Sequence, residues 1–280
     1  MSEADRKRPG PLEKRTRSYR LLYAWTESPL YPASAVILLL LFWQFVVAPG
    51  HIPGLATKYL SSPLGVAESL IDILNRGYDG HSLFDHVWAS LRRSLQGFLL
   101  GSALAIPLGL VMGYYRLVGN LLIPIFSFLR PIPAISFIPV VIIWFGIGEV
   151  AKVLVIFWTS FIYVVLGASL GVRATPRDFL RVAANYNLSG ARTLFSIVLP
   201  AALPQIVVSL RTGMALSWAV VITAELIAAR EGLGYLIFDA SQLFRIQVVF
   251  VGLLLIGTVG VLMELGFRYV ERRILHWQGR

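Results

Sequence analysis

Six apolar stretches divide the chain: Tyr31 to Ala48, Leu95 to Tyr115, Leu117 to Phe145, Val150 to Val172, Pro204 to Ala229 and Val248 to Tyr269. A helix needs roughly 20 mostly apolar residues to cross the hydrocarbon core of a bilayer, so each stretch predicts a membrane-spanning helix. The first is a little short and ends at Pro49-Gly50, the second carries Pro107, and the third is longer and broken by Pro131, Pro133 and Pro139. Six such crossings return both ends of the chain to one side. The polar segment Arg173 to Leu203 falls on that same side, and Gly50 to Ser94 and Arg230 to Gln247 fall on the other. Within the longer outer segment, Val66, Leu70, Ile71 and Leu74 recur at helical spacing beside Glu68 and Asp72, which predicts a packed amphipathic helix.

Composition agrees with this pattern. The 280 residues are 56% hydrophobic and 14% charged with a mean hydropathy of +0.71, values of a polytopic membrane protein and not of a water-soluble domain. The formal charge of +10 would suggest nucleic acid in a soluble protein. Here the cations sit at Arg6, Lys7, Arg8, Lys14, Arg15, Arg17 and Arg20 before the first stretch and at Arg268, Arg272, Arg273 and Arg280 after the last, with Arg173, Arg177, Arg181 and Arg192 between. That placement follows the positive-inside rule and predicts cytosolic N- and C-termini, contact with membrane lipid, and no nucleic-acid partner. Residues 1–30 then form a basic cytosolic tail and 31–280 the transmembrane domain. The tail precedes an uncleaved span, since no small-residue cleavage pattern follows it.

Several chemistries are absent from the sequence. There is no Cys, and His51, His81, His86 and His276 show no ligand spacing, so no metal centre is expected. No G-x-x-x-x-G-K-[ST] phosphate loop occurs, so the chain has no cradle for ATP and no cofactor is expected. The expectation is a non-catalytic transport protein energised from outside itself.

The segment from Arg173 to Leu203 predicts two short helices at a turn. Pro176 and Asp178 suit a helix start, and Phe179, Leu180, Val182, Ala183 and Tyr186 share an apolar face. Asn187 would end that helix in the left-handed conformation, and a second would run from Ala191 until Leu199-Pro200 stops it.

Inside the membrane, Arg130, Pro131, Pro133 and Pro139 mark backbone that cannot complete its own hydrogen bonds, which is tolerated only against protein or a water-filled cavity. A charge at the helix centre costs about 2.5–3.5 kcal/mol on insertion scales, so Arg130 must face inward, either as part of an anion-selective gate or in a salt bridge, with Glu225 the candidate partner. Trp218, near Ser217 and Thr223, suits a cavity wall, and Trp144 suits the membrane interface. Gly101, Ala105, Gly109 and Gly113 recur every four residues and predict close helix packing. Arg211 is expected to snorkel to the cytosolic face.

The segment Arg181-Val182-Ala183 to Asn187, followed by Ile197-Val198-Leu199-Pro200, resembles the E-A-A-x-x-x-G, nine residues, I-x-L-P loop of permease subunits of bacterial ATP-binding-cassette importers. Arg181 stands where that family has an acid, and Asn187 where it has Gly. The resemblance extends over residues 85 to 280. Arg130-Pro131-Ile132-Pro133-Ala134, Ile138-Pro139, Ile143 to Glu149, Ala224-Glu225-Leu226-Ile227-Ala228-Ala229, Gly232-Leu233-Gly234 and Glu264-Leu265-Gly266 resemble the nitrate, sulfonate, taurine and bicarbonate branch.

The resemblance implies an all-α type I importer permease of the bacterial inner membrane. It further implies a homodimer of six-helix subunits, separate ATPase subunits, an extracytoplasmic solute-binding protein, and a small, anionic cargo such as a sulfonate, taurine, nitrate, bicarbonate or a related organic acid. Leu180, Arg181, Val182, Ala183, Tyr186, Asn187, Ile197, Leu199 and Pro200 are then the expected ATPase-coupling residues, within a coupling loop at 173–203. Arg130, Pro131, Pro133, Trp218 and Glu225 are the expected substrate pathway. The alternative is an ion-gradient-driven secondary carrier, which gives no reason for the loop. A membrane-embedded enzyme ranks third, because no convergent acid, base or metal groups are present.

Overall fold

The longest helix begins at a capping box. In the computed structural model, which describes residues 30–47 and 61–276, the Ser82 hydroxyl accepts the Asp85 backbone N–H while the Asp85 carboxylate accepts the Ser82 N–H. This reciprocal cap satisfies donors that would otherwise be orphaned, and it starts α3, Leu83–Tyr114, twelve residues ahead of the expected Leu95. The apolar count alone had excluded Arg92 and Arg93, yet α3 carries both of them. The basic tail up to residue 29 and the whole of residues 48–60, including Gly50 to Lys58, lie outside the described residues.

Helices α1, Leu30–Val47, and α2, Pro63–Arg76, precede it. Of the expected apolar face of α2, Val66 is buried and Leu70 half-buried, whereas Ile71 and Leu74 are exposed and Ile73 is buried in their place. The chain divides into two units, Met1–Glu68 and Ser69–Arg280, and the second holds all the features considered below.

After α3 come α4, Arg116–Leu129, a 3₁₀ turn at Ala134–Phe137, and α5, Ile138–Phe145. The expected single span Leu117 to Phe145 is thus two helices bent by 93°. Pro131 and Pro133 cause the break, since neither has an N–H to donate and each ring fixes φ. Helix α6, Glu149–Arg173, follows. The short helices α7, Arg177–Asn185, and α8, Gly190–Thr193, lead through a π-turn at Leu194–Val198 into α9, Leu199–Ala228. Last come α10, Leu233–Gln242, and α11, Ile246–Ile274.

Leu199-Pro200 does not stop the helix, contrary to the expectation. The Leu199 N–H reaches back five residues to the Leu194 carbonyl, and the widened turn makes room for the Pro200 ring at the start of α9. Among the described residues four helical segments are long and apolar enough to cross a membrane: Leu83–Tyr114, Glu149–Arg173, Gly190–Leu226 and Ile246–Ile274. The bent pair makes a fifth if it is one span, and Ser34–Phe45 of α1 is a shorter apolar helix.

Helices α3 and α6 lie against each other along a stripe of small residues. A Cβ added at Gly97, Gly101, Gly109 or Gly113 would collide with Ile156, Ser160, Ala168 or Val172 of α6, so this approach requires glycine. Below the stripe, Leu110, Ala168, Val172, Leu194, Val198, Ala202 and Ile206 join α3, α6, the π-turn and α9 in one apolar cluster. That cluster supports the segment carrying α7.

Candidate functional site

The loop between α6 and α9 folds as its sequence predicts at the turn. Pro176 caps α7, Tyr186 closes it, and Asn187 sits at φ +52°. The Leu188 N–H then bonds the Ala183 carbonyl at 3.1 Å and the Asn187 N–H bonds the Ala184 carbonyl at 3.0 Å, the paired bonds of a Schellman cap. Asn adopts this left-handed position at lower cost than other residues with a Cβ, so it fills the place of the family's Gly. Ser189 caps α8 by accepting the Arg192 N–H.

Of the loop residues, Ala183 is buried, whereas Phe179, Leu180, Val182 and Tyr186 are exposed. A nine-residue helix therefore presents a row of large apolar groups to the outside. Arg181, at the acid position of the motif, pairs with Asp178 at 3.2 Å one turn earlier. Ile197 and Leu199 are half-buried and Pro200 is exposed where the π-turn meets α9.

The bend between α4 and α5 makes a cavity of about 210 Å³ lined by Arg130, Pro131, Pro133, Trp158, Thr159 and Tyr163 among others. The Arg130 guanidinium lies 5.3 Å from the centroid of the Tyr163 ring, a cation–π contact. No carboxylate of the described residues lies within salt-bridge distance of it. Trp158 packs on Phe137 and Phe161, and its buried indole N–H has no partner among the described residues. The cavity thus places a guanidinium in aromatic surroundings, a combination suited to a small anion.

Glu225 is not the partner of Arg130. It accepts from Arg93 Nη1 at 2.8 Å, from the Ser90 hydroxyl at 2.8 Å and from the Gly234 N–H at 2.9 Å. Arg93 also donates from Nε and Nη2 to Glu149 at 2.6 and 2.8 Å and from Nη1 to the Glu231 carbonyl at 2.8 Å. Lys152 and Arg92 complete the neutralisation of Glu149. Gly232 at φ +125° lets the backbone wrap the Glu225 carboxylate, which a Cβ there or at Gly234 would strike. The run from Ala224 to Gly234 is therefore a buried carboxylate together with the glycine turn that encloses it.

Trp218 is likewise absent from the Arg130 cavity. It is buried among Ile156, Val221 and Leu233, and its indole donates to the Ile256 carbonyl at 3.1 Å, joining α9 to α11. Arg211 does not simply snorkel: it pairs with Glu264, and with Glu271 at 3.7 Å, on α11. Trp144 is exposed.

Sequence reasoning missed Arg93, Ser90 and Glu149. The signal was present, because His86, Ser90, Arg93, Gly97, Gly101, Ala105 and Gly109 recur at spacings of three and four and are all buried. A charge on the stripe that packs against another helix must be neutralised from that helix or its neighbours.

The family model described as "Binding-protein-dependent transport system inner membrane component" matches residues 105–276. The chain belongs to this family. Within the family, it is 32% identical over 96% of its length to the taurine transport system permease protein TauC of Escherichia coli (strain K12), covering 98% of that protein. It is 30% identical over 99% of its length to the putative aliphatic sulfonates transport permease protein SsuC of Bacillus subtilis (strain 168), covering 93% of it. To the bicarbonate transport system permease protein CmpB of Synechococcus elongatus it is 32% identical, over 88% of this chain and 89% of that one.

Among solved structures, a chain of the MetNI methionine ABC transporter in inward-facing conformations superposes with a TM-score of 0.59 at 17% identity, covering 76% of this chain and 99% of that one. That likeness shows a shared fold, the type I importer permease fold the loop motif implied. This family member is accordingly a multi-pass membrane permease component of a transport system, in the role of a transport subunit and not of a catalyst.

Proposed function

We propose that this chain is the membrane subunit of an ATP-driven importer of a small anion, a sulfonate, taurine, bicarbonate, nitrate or related organic acid. An external solute-binding protein delivers the cargo, separate ATPase subunits supply the energy, and two copies of the chain form the pathway. The observation that carries this reading is the exposed apolar face of α7, with Phe179, Leu180, Val182 and Tyr186 held outward on a Schellman-capped helix. Such a face needs a partner, and a loop so braced can transmit a rigid-body push to α6 and α9.

In this account Leu180, Val182 and Tyr186 seat in the ATPase, with Ala183, Asn187, Ile197, Leu199 and Pro200 holding the seat's shape. Arg181, already paired to Asp178, lies at its rim. Arg130, Pro131 and Pro133 line the anion path, while Glu225 and Trp218 brace the helices behind it. The loop and both termini face the cytosol of a bacterial inner membrane, with residues 1–30 as a tail before the 31–280 permease domain. The relatives named for taurine, aliphatic sulfonates and bicarbonate support an anionic cargo.

The test is co-purification of the tagged chain from its native membrane in mild detergent. An ATPase subunit is expected with the wild type and lost with Leu180→Ala/Tyr186→Ala, at equal amounts of folded chain. Recovery of the folded wild-type chain with no ATPase would overturn the proposal.

A further inference from the structure

A second cavity, of about 350 Å³, opens at the base of α7. It is lined by Tyr114 at the end of α3, Arg116 and Asn120 in the first turns of α4, Arg173 at the end of α6, and Thr175 and Leu180 on either side of the α7 cap. No carboxylate lines it, and neither Arg116 nor Arg173 has an acidic group of the described residues within salt-bridge distance. Thr175 is 9% exposed, and its buried hydroxyl has no hydrogen-bond partner among the described residues. A buried hydroxyl left without a partner costs stability, and Thr175 is one of the residues that line this cavity together with the two cations.

Arg173 is also held in place. Its guanidinium packs on Gly119 of α4, where any Cβ would collide with Nη2 and with the Met112 carbonyl. The arginine is thus seated at the cavity wall. The N-cap residue of α4, Tyr115, makes no side-chain cap bond, so the first-turn N–H groups add to the positive end of that helix.

We propose that this cavity is an oxyanion site, separate from the Arg130 cavity, that takes a sulfate, phosphate or sulfonate group. Arg116 and Arg173 supply charge-assisted donors, and the Thr175 hydroxyl and Asn120 amide supply neutral ones. An anion here would tie the α3–α4 turn, the end of α6 and the cap of α7 together, and so fix the angle at which α7 leaves the membrane domain. The same group chemistry is offered by a free cytosolic oxyanion and by the phosphodiester of an anionic lipid. The inference stands whether or not the chain works with an ATPase, because it concerns binding to the chain itself.

The experiment titrates the delipidated, detergent-solubilised chain with inorganic sulfate, with chloride at matched ionic strength as the reference, and reads the thermal midpoint. A saturable rise with sulfate beyond chloride is expected. Thr175→Val and Arg173→Gln should each weaken apparent sulfate affinity about tenfold, the loss of one hydrogen bond to a charged group. Thr175→Ser should restore it, and Arg192→Gln, an exposed arginine of α8, should leave it unchanged. Mixed micelles of phosphatidylglycerol, compared with phosphatidylcholine, distinguish the sources: competition with sulfate by the anionic lipid alone identifies the lipid phosphate, and no competition identifies a free oxyanion. A sulfate response that is absent, or equal in wild type, Thr175→Val and Arg173→Gln, would overturn the proposal. Since Thr175→Val removes only an unpartnered hydroxyl, it is expected to fold, and the thermal midpoint without sulfate checks this directly.

Discussion

Arg93 and Glu225 meet at 2.8 Å with side chains only 1% and 0% exposed, joining α3 to the C-terminal end of α9. The pair is also held by Glu149 at the start of α6 and by the backbone of Glu231 beyond α9. One guanidinium therefore ties together three spans and the turn that follows the last of them. A buried ion pair is worth little over an apolar replacement, but removing one partner strands the other charge.

Arg93→Met is accordingly expected to destabilise the chain by about 3–5 kcal/mol, since it strands Glu225 and removes the main partner of Glu149. Glu225→Gln should cost less, because Arg93 keeps Glu149 and the amide can still accept from Ser90 and Gly234. Thermal unfolding of the solubilised variants gives the order. A larger loss in Glu225→Gln than in Arg93→Met would show that Glu225 and not Arg93 is the centre of the network.

Close packing of α3 on α6 depends on the glycine stripe. A Cβ at Gly109 would lie 2.6 Å from Ala168 Cβ and 2.7 Å from the Val165 carbonyl, whereas a Cβ at Gly257 of α11 meets nothing within 4 Å. Gly109→Val should lower the thermal midpoint by the equivalent of about 3 kcal/mol or abolish folded protein, as overpacking does. Gly257→Val should fold normally. A stable Gly109→Val variant would contradict the packing described for these helices.

The Asn187 turn gives a smaller and directional effect. Ala at this φ of +52° should cost about 1–2 kcal/mol relative to Gly, and the native Asn should fall between the two. Hydrogen exchange at Asn187 and Leu188, whose amides close the cap, reports it: faster in Asn187→Ala, unchanged or slower in Asn187→Gly. Equal exchange in all three would mean that the cap does not hold the turn.

On α10, just beyond the turn that encloses Glu225, the Tyr235 hydroxyl donates to Asp79 Oδ2 at 2.5 Å. The bond to Asp79, with burial adding to it, pushes the Tyr235 phenol up from its ordinary value near 10 to about 12. Tyr78 is raised as well, by burial first and then by its bond to Asp239. Since a raised phenol favours the protonated folded state, its contribution is complete below pH 10 and is lost as pH rises toward 12. Tyrosinate absorbance should show a late step that Tyr235→Phe removes and Asp79→Asn moves down toward 10. A step near 12 that stays in place in Asp79→Asn would refute the assignment, the still later step of Tyr78 being the one expected to persist.

Much of the membrane plan was legible because apolar run length and proline position are local properties. The starts and ends of α6 and α11 fall close to the expected spans, and Asn187 declared its turn because few residue types tolerate positive φ. What was not legible depended on partners distant in sequence. Arg93 was read as lying outside the membrane because an arginine interrupts an apolar count, yet its neutralising groups arrive from residues 149, 225 and 231. Glu225 was matched to Arg130 for want of that partner. Pro200 was read as a stop because a π-turn, in which a bond reaches one residue further than usual, leaves no signature in composition. Trp218 looked like a cavity residue from its polar neighbours, but its indole found a carbonyl on α11.

The most direct test of the account is uptake by vesicles containing the chain, its ATPase subunit and the solute-binding protein, with a labelled sulfonate or taurine outside and ATP inside. The account predicts accumulation that requires ATP and the binding protein, persists when ion gradients are collapsed, and falls sharply in Arg130→Gln at equal folded protein. Accumulation that proceeds without ATP and stops when the ion gradient is collapsed would contradict it and make the chain a secondary carrier.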